Sequence, residues 1–176
     1  MTYKIAVQMD PVDAIDITGD TSFALALEAQ HRGCTLWYYH PDDLYLEGDG
    51  IKAICQTMSL RDVKGDHVTL GPREERALCD MNIILMRQDP PFNMAYITAT
   101  HLLEMLPAHT MVINNPHEVR NAPEKILVTL FSELMPPTLI SRNSDVIKRF
   151  RSQHKDIIIK PLYGNGGAGV FRLQPS

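Results

Sequence analysis

Residues 157–173 read IIIKPLYGNGGAGVFRL. Gly164, Gly166 and Gly169 satisfy the G-x-G-x-x-G spacing of a dinucleotide-binding turn. Such a turn opens a helix and is completed by a βαβ unit. Here Gly169 is followed by Val170, Phe171, Arg172 and Leu173, a run suited to a strand. A glycine-rich loop between two strands is a flap, able to lay backbone N–H groups over phosphates without side-chain interference. Lys160, at the end of the leading strand, supplies a positive charge to those phosphates, and Pro161 ends regular pairing. The bland alternative is a hairpin turn with a solubilising lysine.

Working back from this loop, Asp156 to Lys160 is an apolar strand, and Asn143 caps a helix running to about His154. Thr138 to Ser141 reads as a short strand. Residues 123 to 134 suit a helix containing Lys125, ended by Pro136-Pro137. A shift in composition places a domain boundary near residue 121, giving domains 1–121 and 122–176.

The first part begins differently. Tyr3 to Met9 is a buried strand stopped by Asp10-Pro11, Thr21 to Arg32 a helix with Phe23, Ala26 and Leu27 on one face, and Thr35 to Tyr39 a second strand. Gly33 provides the left-handed exit from the helix. Strand, helix and strand in under forty residues make a βαβ unit, which implies a parallel sheet. Ile51 to Ser59 and His67 to Leu70 read as an inserted hairpin. Asn82 to Met86 is a strand ended by Arg87 through Pro91, and Asn93 caps a helix with Ala95, Ala99, Leu102, Leu103 and Leu106 on one face. Met111 to Asn114 is a further strand, stopped by Asn115-Pro116.

In a parallel sheet the carboxyl ends of the strands share one edge, and ligands bind outside it. Asp10, Arg87, Asp89 and Asn115 therefore gather at one cleft, although they are far apart in sequence. Arg87 offers a planar fork for a carboxylate, and the two aspartates suit an ammonium. That pairing fits an amino-acid-like or small peptide ligand. The competing explanation is that Pro, Asp and Asn simply terminate strands.

Composition narrows the rest. The 176 residues are 44% hydrophobic and 22% charged, enough for a sizeable core without disulfide staples. Seventeen Lys and Arg against 21 Asp and Glu give net charge −4, the wrong sign for a general nucleic-acid partner. Cys34, Cys55 and Cys79 are sparse and form no C-x-x-C pair, which reads as reduced thiols in a cytoplasm. Asp10 comes too early for a signal peptide, and no apolar run reaches the ~18 residues of a membrane span. His101 and Glu104 stand three apart on a helix, where a solvated or packed pair is favoured over a metal site. No metal-ligand set is assigned.

Together the stretches MDP (9–11), TSFAL (21–25), ALEAQHRG (26–33), DLYL (43–46), ILMRQDPPF (84–92), NNPHEVRNAPEK (114–125) and IIIKPLYGNGGAGVFR (157–172) resemble the bacterial glutathione synthetases, which are ATP-grasp ligases. The resemblance implies a Rossmann-like pre-ATP-grasp domain, α/β with a mainly parallel sheet, followed by the beginning of an ATP-grasp domain. It also implies a reaction in which γ-glutamylcysteine, glycine and ATP give glutathione, ADP and phosphate through an acyl phosphate. By similarity Lys125, Lys160 and residues Gly164, Asn165, Gly166, Gly167, Ala168 and Gly169 face ATP, while Asp10, Ser22, Arg87, Asp89 and Asn115 face the peptide substrates. Mg2+ would accompany ATP, and members of the family assemble into homo-oligomers. The family continues past the glycine-rich loop into segments carrying its magnesium ligands. The expectation is thus a truncated form, inactive alone. Alternatives are another ATP-grasp carboxylate–amine ligase, a non-catalytic peptide-binding module and, third, a Rossmann oxidoreductase.

Overall fold

The apolar run after Tyr3 forms β1 (Lys4–Gln8), with all but Lys4 buried. The computed structural model describes residues 2–164 and 166–175. It divides into two compact units, Met1–Asp89 with Ile97–Asn121, and Pro90–Tyr96 with Ala122–Ser176.

In the first unit, α1 (Thr21–His31) and β2 (Thr35–Tyr39) follow β1. The Asp20 carboxylate caps α1 by accepting from the Phe23 N–H at 2.7 Å. Gly33, at φ +78°, takes the left-handed exit that a side chain would resist. β1 and β2 pair in parallel, with Ile5 opposite Leu36 and Gln8 opposite Tyr39. β3 (Leu44–Glu47), β4 (Gly50–Leu60), β5 (Val68–Leu70) and β6 (Glu74–Ala77) then form an antiparallel wing. The long β4 pairs with β2, β3, β5 and β6 in turn. The hairpin expected from Ile51 to Leu70 is therefore present as β4 and β5, within a larger wing that also holds β3 and β6.

β7 (Ile83–Met86), α2 (Met94–Glu104), β8 (Met111–Ile113) and α3 (Pro116–Asn121) complete this part of the chain. The main path of the sheet is β3-β4-β2-β1-β7-β8. Its parallel half, β2-β1-β7-β8, bears out the mixed α/β class and the parallel sheet expected from the βαβ unit. Strand side chains alternate between faces. One face packs Ile5, Val7, Leu36, Tyr38 and Leu85 with Phe23 and Ala26 of α1. On the alternate positions lie Ala6, Gln8, Tyr39 and Ile84, each inaccessible to solvent.

The second unit contains α4 (Glu124–Leu127), a 3-10 segment over Val128–Leu134, and α5 (Ser144–His154). Residues 123–134 are thus not one helix: Phe131, at φ −116° and ψ 51°, breaks it. Val128 and Thr129 are β-branched, and Pro136-Pro137 blocks continuation downstream, so the last turns have little to hold them in α geometry. The strand expected over Thr138 to Ser141 does not form; these residues pair with no strand among those described. The Asn143 side chain caps α5 by accepting from the Asp145 and Val146 N–H groups, as its sequence predicts. β9 (Ile157–Ile159) and β10 (Phe171–Leu173) pair antiparallel, with Phe171 opposite Ile159 and Leu173 opposite Ile157. The glycine-rich loop is therefore the turn of a hairpin and does not open a helix. Among the described residues no helix is long and apolar enough to cross a membrane.

Candidate functional site

Parallel pairing brings the ends of β1, β7 and β8 to one edge of the first unit. The register continues past β7, where the Arg87 N–H donates to the Gln8 carbonyl at 2.8 Å. This fixes the start of the Arg87–Asp89 segment against the end of β1. Arg87 Nε donates to Ser22 Oγ at 3.0 Å, and its Nη2 donates to Thr21 Oγ1 at 2.7 Å. Both hydroxyls sit on the first turn of α1, where Ser22 is buried. Among the described residues no carboxylate lies within ion-pairing distance of Arg87. The guanidinium is thus oriented by neutral oxygens and its charge is left uncompensated.

Asp10 and Asp89 meet at the same edge, the Asp89 N–H donating to Asp10 Oδ2 at 2.6 Å. Asn115 stands just beyond β8, exposed, its Oδ1 accepting from the His117 N–H at 2.9 Å at the start of α3. No hydrogen bond or ion pair among the described residues joins Asn115 to Asp10, Ser22, Arg87 or Asp89. The structure therefore links Asp10 with Asp89 and Ser22 with Arg87, and leaves Asn115 at the end of the neighbouring strand.

One network at this edge was not anticipated from the sequence. Tyr39 Oη donates to Gln8 Oε1 at 3.0 Å, and Gln8 Nε2 donates to Gln88 Oε1. Tyr39 and Gln8 are both fully buried. Leaving either unsatisfied would cost about 1–3 kcal/mol. Burial also pushes the Tyr39 hydroxyl well above its ordinary pKa, so it stays a neutral donor. The available signal was Gln8 itself, a polar residue inside the run Ile5-Ala6-Val7-Gln8-Met9 that must find a partner.

In the second unit the loop between β9 and β10 carries the phosphate-facing candidates. Gly166, Gly167 and Gly169 have φ of +59°, +77° and +68°. Gly169 also packs on Pro161, where a Cβ would stand 2.8 Å from Cγ. Nothing lies within 4 Å of a Cβ built at Gly166 or Gly167, so the backbone there is open. Asn165 lies outside the described residues, and Ala168 is exposed beside them. Lys160 directly follows β9 and is exposed, whereas Lys125 is half-buried. Lys125 Nζ donates to the Gly164 carbonyl at 2.6 Å and to that of Leu162 at 3.3 Å. The open, glycine-lined backbone and two lysines fit a phosphate-bearing ligand in their donor chemistry.

Glu104, three residues from His101 on α2, is engaged by other cations. Glu104 accepts from Arg120 Nη2 at 2.9 Å, lies 3.5 Å from His117 Nδ1 and only reaches His101 Nδ1 at 4.0 Å. The hydrogen bond from Arg120 holds the Glu104 carboxyl below its ordinary pKa. Among the described residues no group of three or more His, Cys, Asp or Glu side chains is placed to hold a metal. A separate open pocket of about 400 Å³ is lined by Asp13, Ile15, Asp16, Ile17, Lys64 and His67, none of them a predicted site residue.

Two family models match the sequence. Prokaryotic glutathione synthetase, N-terminal domain, matches residues 3–120, and prokaryotic glutathione synthetase, ATP-grasp domain, matches residues 124–176. A glutathione synthetase of Rhodopseudomonas palustris is 54% identical over 99% of this chain and 56% of its own length. Glutathione synthetases of Brucella melitensis and Yersinia pestis are 56% and 41% identical, covering 98% and 97% of this chain and 55% and 54% of their own lengths. The chain spans about half the length of the curated relatives it matches. With an N-terminal α/β domain followed by an ATP-grasp segment, it belongs to the prokaryotic glutathione synthetase family.

Proposed function

We propose that this chain carries the peptide-binding domain and the opening part of the nucleotide site of a glutathione synthase. In this reading residues 1–121 form the substrate-side domain and residues 122–176 begin the ATP-grasp domain. The reaction joins γ-glutamylcysteine to glycine at the expense of ATP. A carboxylate oxygen of the peptide attacks the γ-phosphorus of ATP and releases ADP. The glycine amine then attacks the acyl carbon, inorganic phosphate leaves, and a proton is lost as the amide forms. A free carboxylate is a poor electrophile, so the work lies in positioning and charge neutralisation.

The residues divide that work by their chemistry. Arg87, held by Ser22 and Thr21, binds a peptide carboxylate, and Asp10 and Asp89 receive its ammonium. Asn115 keeps Nδ2 for a ligand because Oδ1 is occupied at the start of α3. Gly164, Gly166, Gly167, Ala168 and Gly169, with Asn165 between them in sequence, present backbone N–H groups to the phosphates, Lys160 adds charge, and Lys125 shapes the loop beneath. Mg2+, when bound with ATP, neutralises phosphate charge. No step here is assigned to a metal ligand of this chain. Three unpaired cysteines suit a reducing cytoplasm.

The observation that carries the reading is the uncompensated Arg87 guanidinium, fixed at the shared edge of three parallel strands in a chain of this family. Separate titrations of the chain with γ-glutamylcysteine and with a non-hydrolysable ATP analogue test it. Binding of both supports the reading, and binding of the peptide alone favours a non-catalytic peptide-binding module. A folded chain that binds neither overturns it. Assaying ADP release by a full-length relative across dipeptides and amines separates glutathione synthesis from another carboxylate–amine ligation.

A further inference from the structure

Tyr39, Gln8 and Gln88 form a hydrogen-bonded chain with a direction. The β1–β2 register sets Gln8 beside Tyr39, and alternation from Met86, the register partner of Gln8 on β7, puts Gln88 on the same side. The hydroxyl hydrogen of Tyr39 is buried and needs an acceptor, and among the described residues Gln8 Oε1 is the one it has. That choice turns the Gln8 amide so that Nε2 faces Gln88. Gln88 must then offer Oε1. Its own Nε2 is left with two N–H groups and no partner among the described residues, on a side chain that is half exposed.

We propose that this chain of bonds makes Gln88 a specificity-determining residue, its Nε2 held as a donor for a carboxylate of the peptide substrate. Tyr39 and Gln8 are the positioning residues that set its polarity. The proposal rests on the peptide-binding reading of this edge. Arg87 precedes Gln88 directly, has its N–H on the Gln8 carbonyl at 2.8 Å, and makes no ion pair among the described residues. By the same alternation the Arg87 side chain lies on the opposite side, toward Ser22 and Thr21, so Gln88 presents its Nε2 donor separately. A carboxylate offers that Nε2 an acceptor whichever way it turns, whereas an amide in its place does so in only one of its two orientations.

The test compares γ-glutamylcysteine with its two mono-amidated forms, one amidated at the cysteine carboxyl and one at the glutamate α-carboxyl. Each is titrated into the wild-type chain, Tyr39→Phe and Gln88→Leu. In the wild type, amidating the recognised carboxyl weakens binding about tenfold or more. In Tyr39→Phe the hydroxyl that fixes the polarity is gone, so both amides can turn over and the preference for carboxylate over amide shrinks several-fold at unchanged fold. Simple loss of packing lowers all three affinities together and leaves this preference intact. Gln88→Leu, on the half-exposed segment, loses the same preference and serves even if Tyr39→Phe proves unstable. A preference undiminished in Gln88→Leu overturns the proposal while leaving the peptide site standing. A folded wild-type chain that binds none of the three ligands overturns both.

Discussion

Lys125 Nζ stands 2.6 Å from the Gly164 carbonyl oxygen and 3.3 Å from that of Leu162, a single ammonium bridging the entry to the glycine-rich loop. Thirty-nine residues of sequence separate Lys125 from Gly164. A charge-assisted bond of this kind contributes on the order of 1.5–3 kcal/mol, toward the lower end for a half-exposed group. Lys125→Met should leave α4 intact but release the loop. The expected outcome is about a tenfold loss of affinity for an ATP analogue. Faster proteolytic cleavage within residues 162–169 should accompany it. Unchanged values in both assays would remove Lys125 from the loop's support.

Arg87 predicts an asymmetry between conservative and drastic changes. Lysine keeps the charge but cannot bond Ser22 and Thr21 as a planar fork. Arg87→Lys should therefore weaken γ-glutamylcysteine binding nearly as much as Arg87→Ala, by about 1–2 kcal/mol. Calorimetric titration of the two variants checks this, and full retention of affinity by Arg87→Lys would show that charge alone suffices.

The cysteines should react in order of access. Cys79 is exposed, Cys34 partly so, and Cys55 is buried on β4. Burial pushes the Cys55 thiol up to about 12. Since the thiolate is the attacking form, a thiol reagent at pH 8 should modify Cys79 first and Cys55 only on unfolding. Early modification of Cys55, read by peptide mass mapping, would contradict the packing of β4.

The hairpin that carries the loop has a predicted pH profile. Arg172 Nη2 donates to Asp156 Oδ2 at 2.7 Å, and this hydrogen bond lowers the Asp156 pKa. A carboxyl with a folded pKa below its unfolded one contributes stability above the unfolded value, about 3.9, and loses it as pH falls through the folded value. The contribution of this exposed pair should be constant from about pH 8 to 5, begin to fall near pH 4 and be lost once pH passes the folded value. Amide exchange at Ile158 and Ile159 in wild type and Asp156→Asn measures it. A difference that grows on acidification would reverse the assignment.

How much of this was legible in the sequence depended on how local the signal was. Asp20, Asn93 and Asn143 cap α1, α2 and α5 through neighbours two or three residues away, a signal local enough to be written in the chain. The turn Pro161 to Gly169 announced a hairpin for the same reason. β3 and β6 were missed because Leu44–Glu47 and Glu74–Ala77 are short, and Tyr45, Glu75 and Lys52 hold them through cross-strand contacts that no local pattern shows. At the edge, Asp10, Arg87 and Asp89 followed from strand punctuation together with parallel topology. Gln8, Tyr39 and Gln88 did not, because their meeting depends on register, which one sequence does not display.

The most direct test of the account is a residue-level chemical-shift map of the chain with γ-glutamylcysteine and, separately, with a non-hydrolysable ATP analogue. The account predicts that the peptide shifts the amides of Asp10, Ser22, Arg87, Asp89 and Asn115. The nucleotide should shift Lys125, Lys160 and the glycines from Gly164 to Gly169. Peptide-induced shifts confined to other surfaces, or none in a folded chain, would contradict the assignment of this edge as the peptide site.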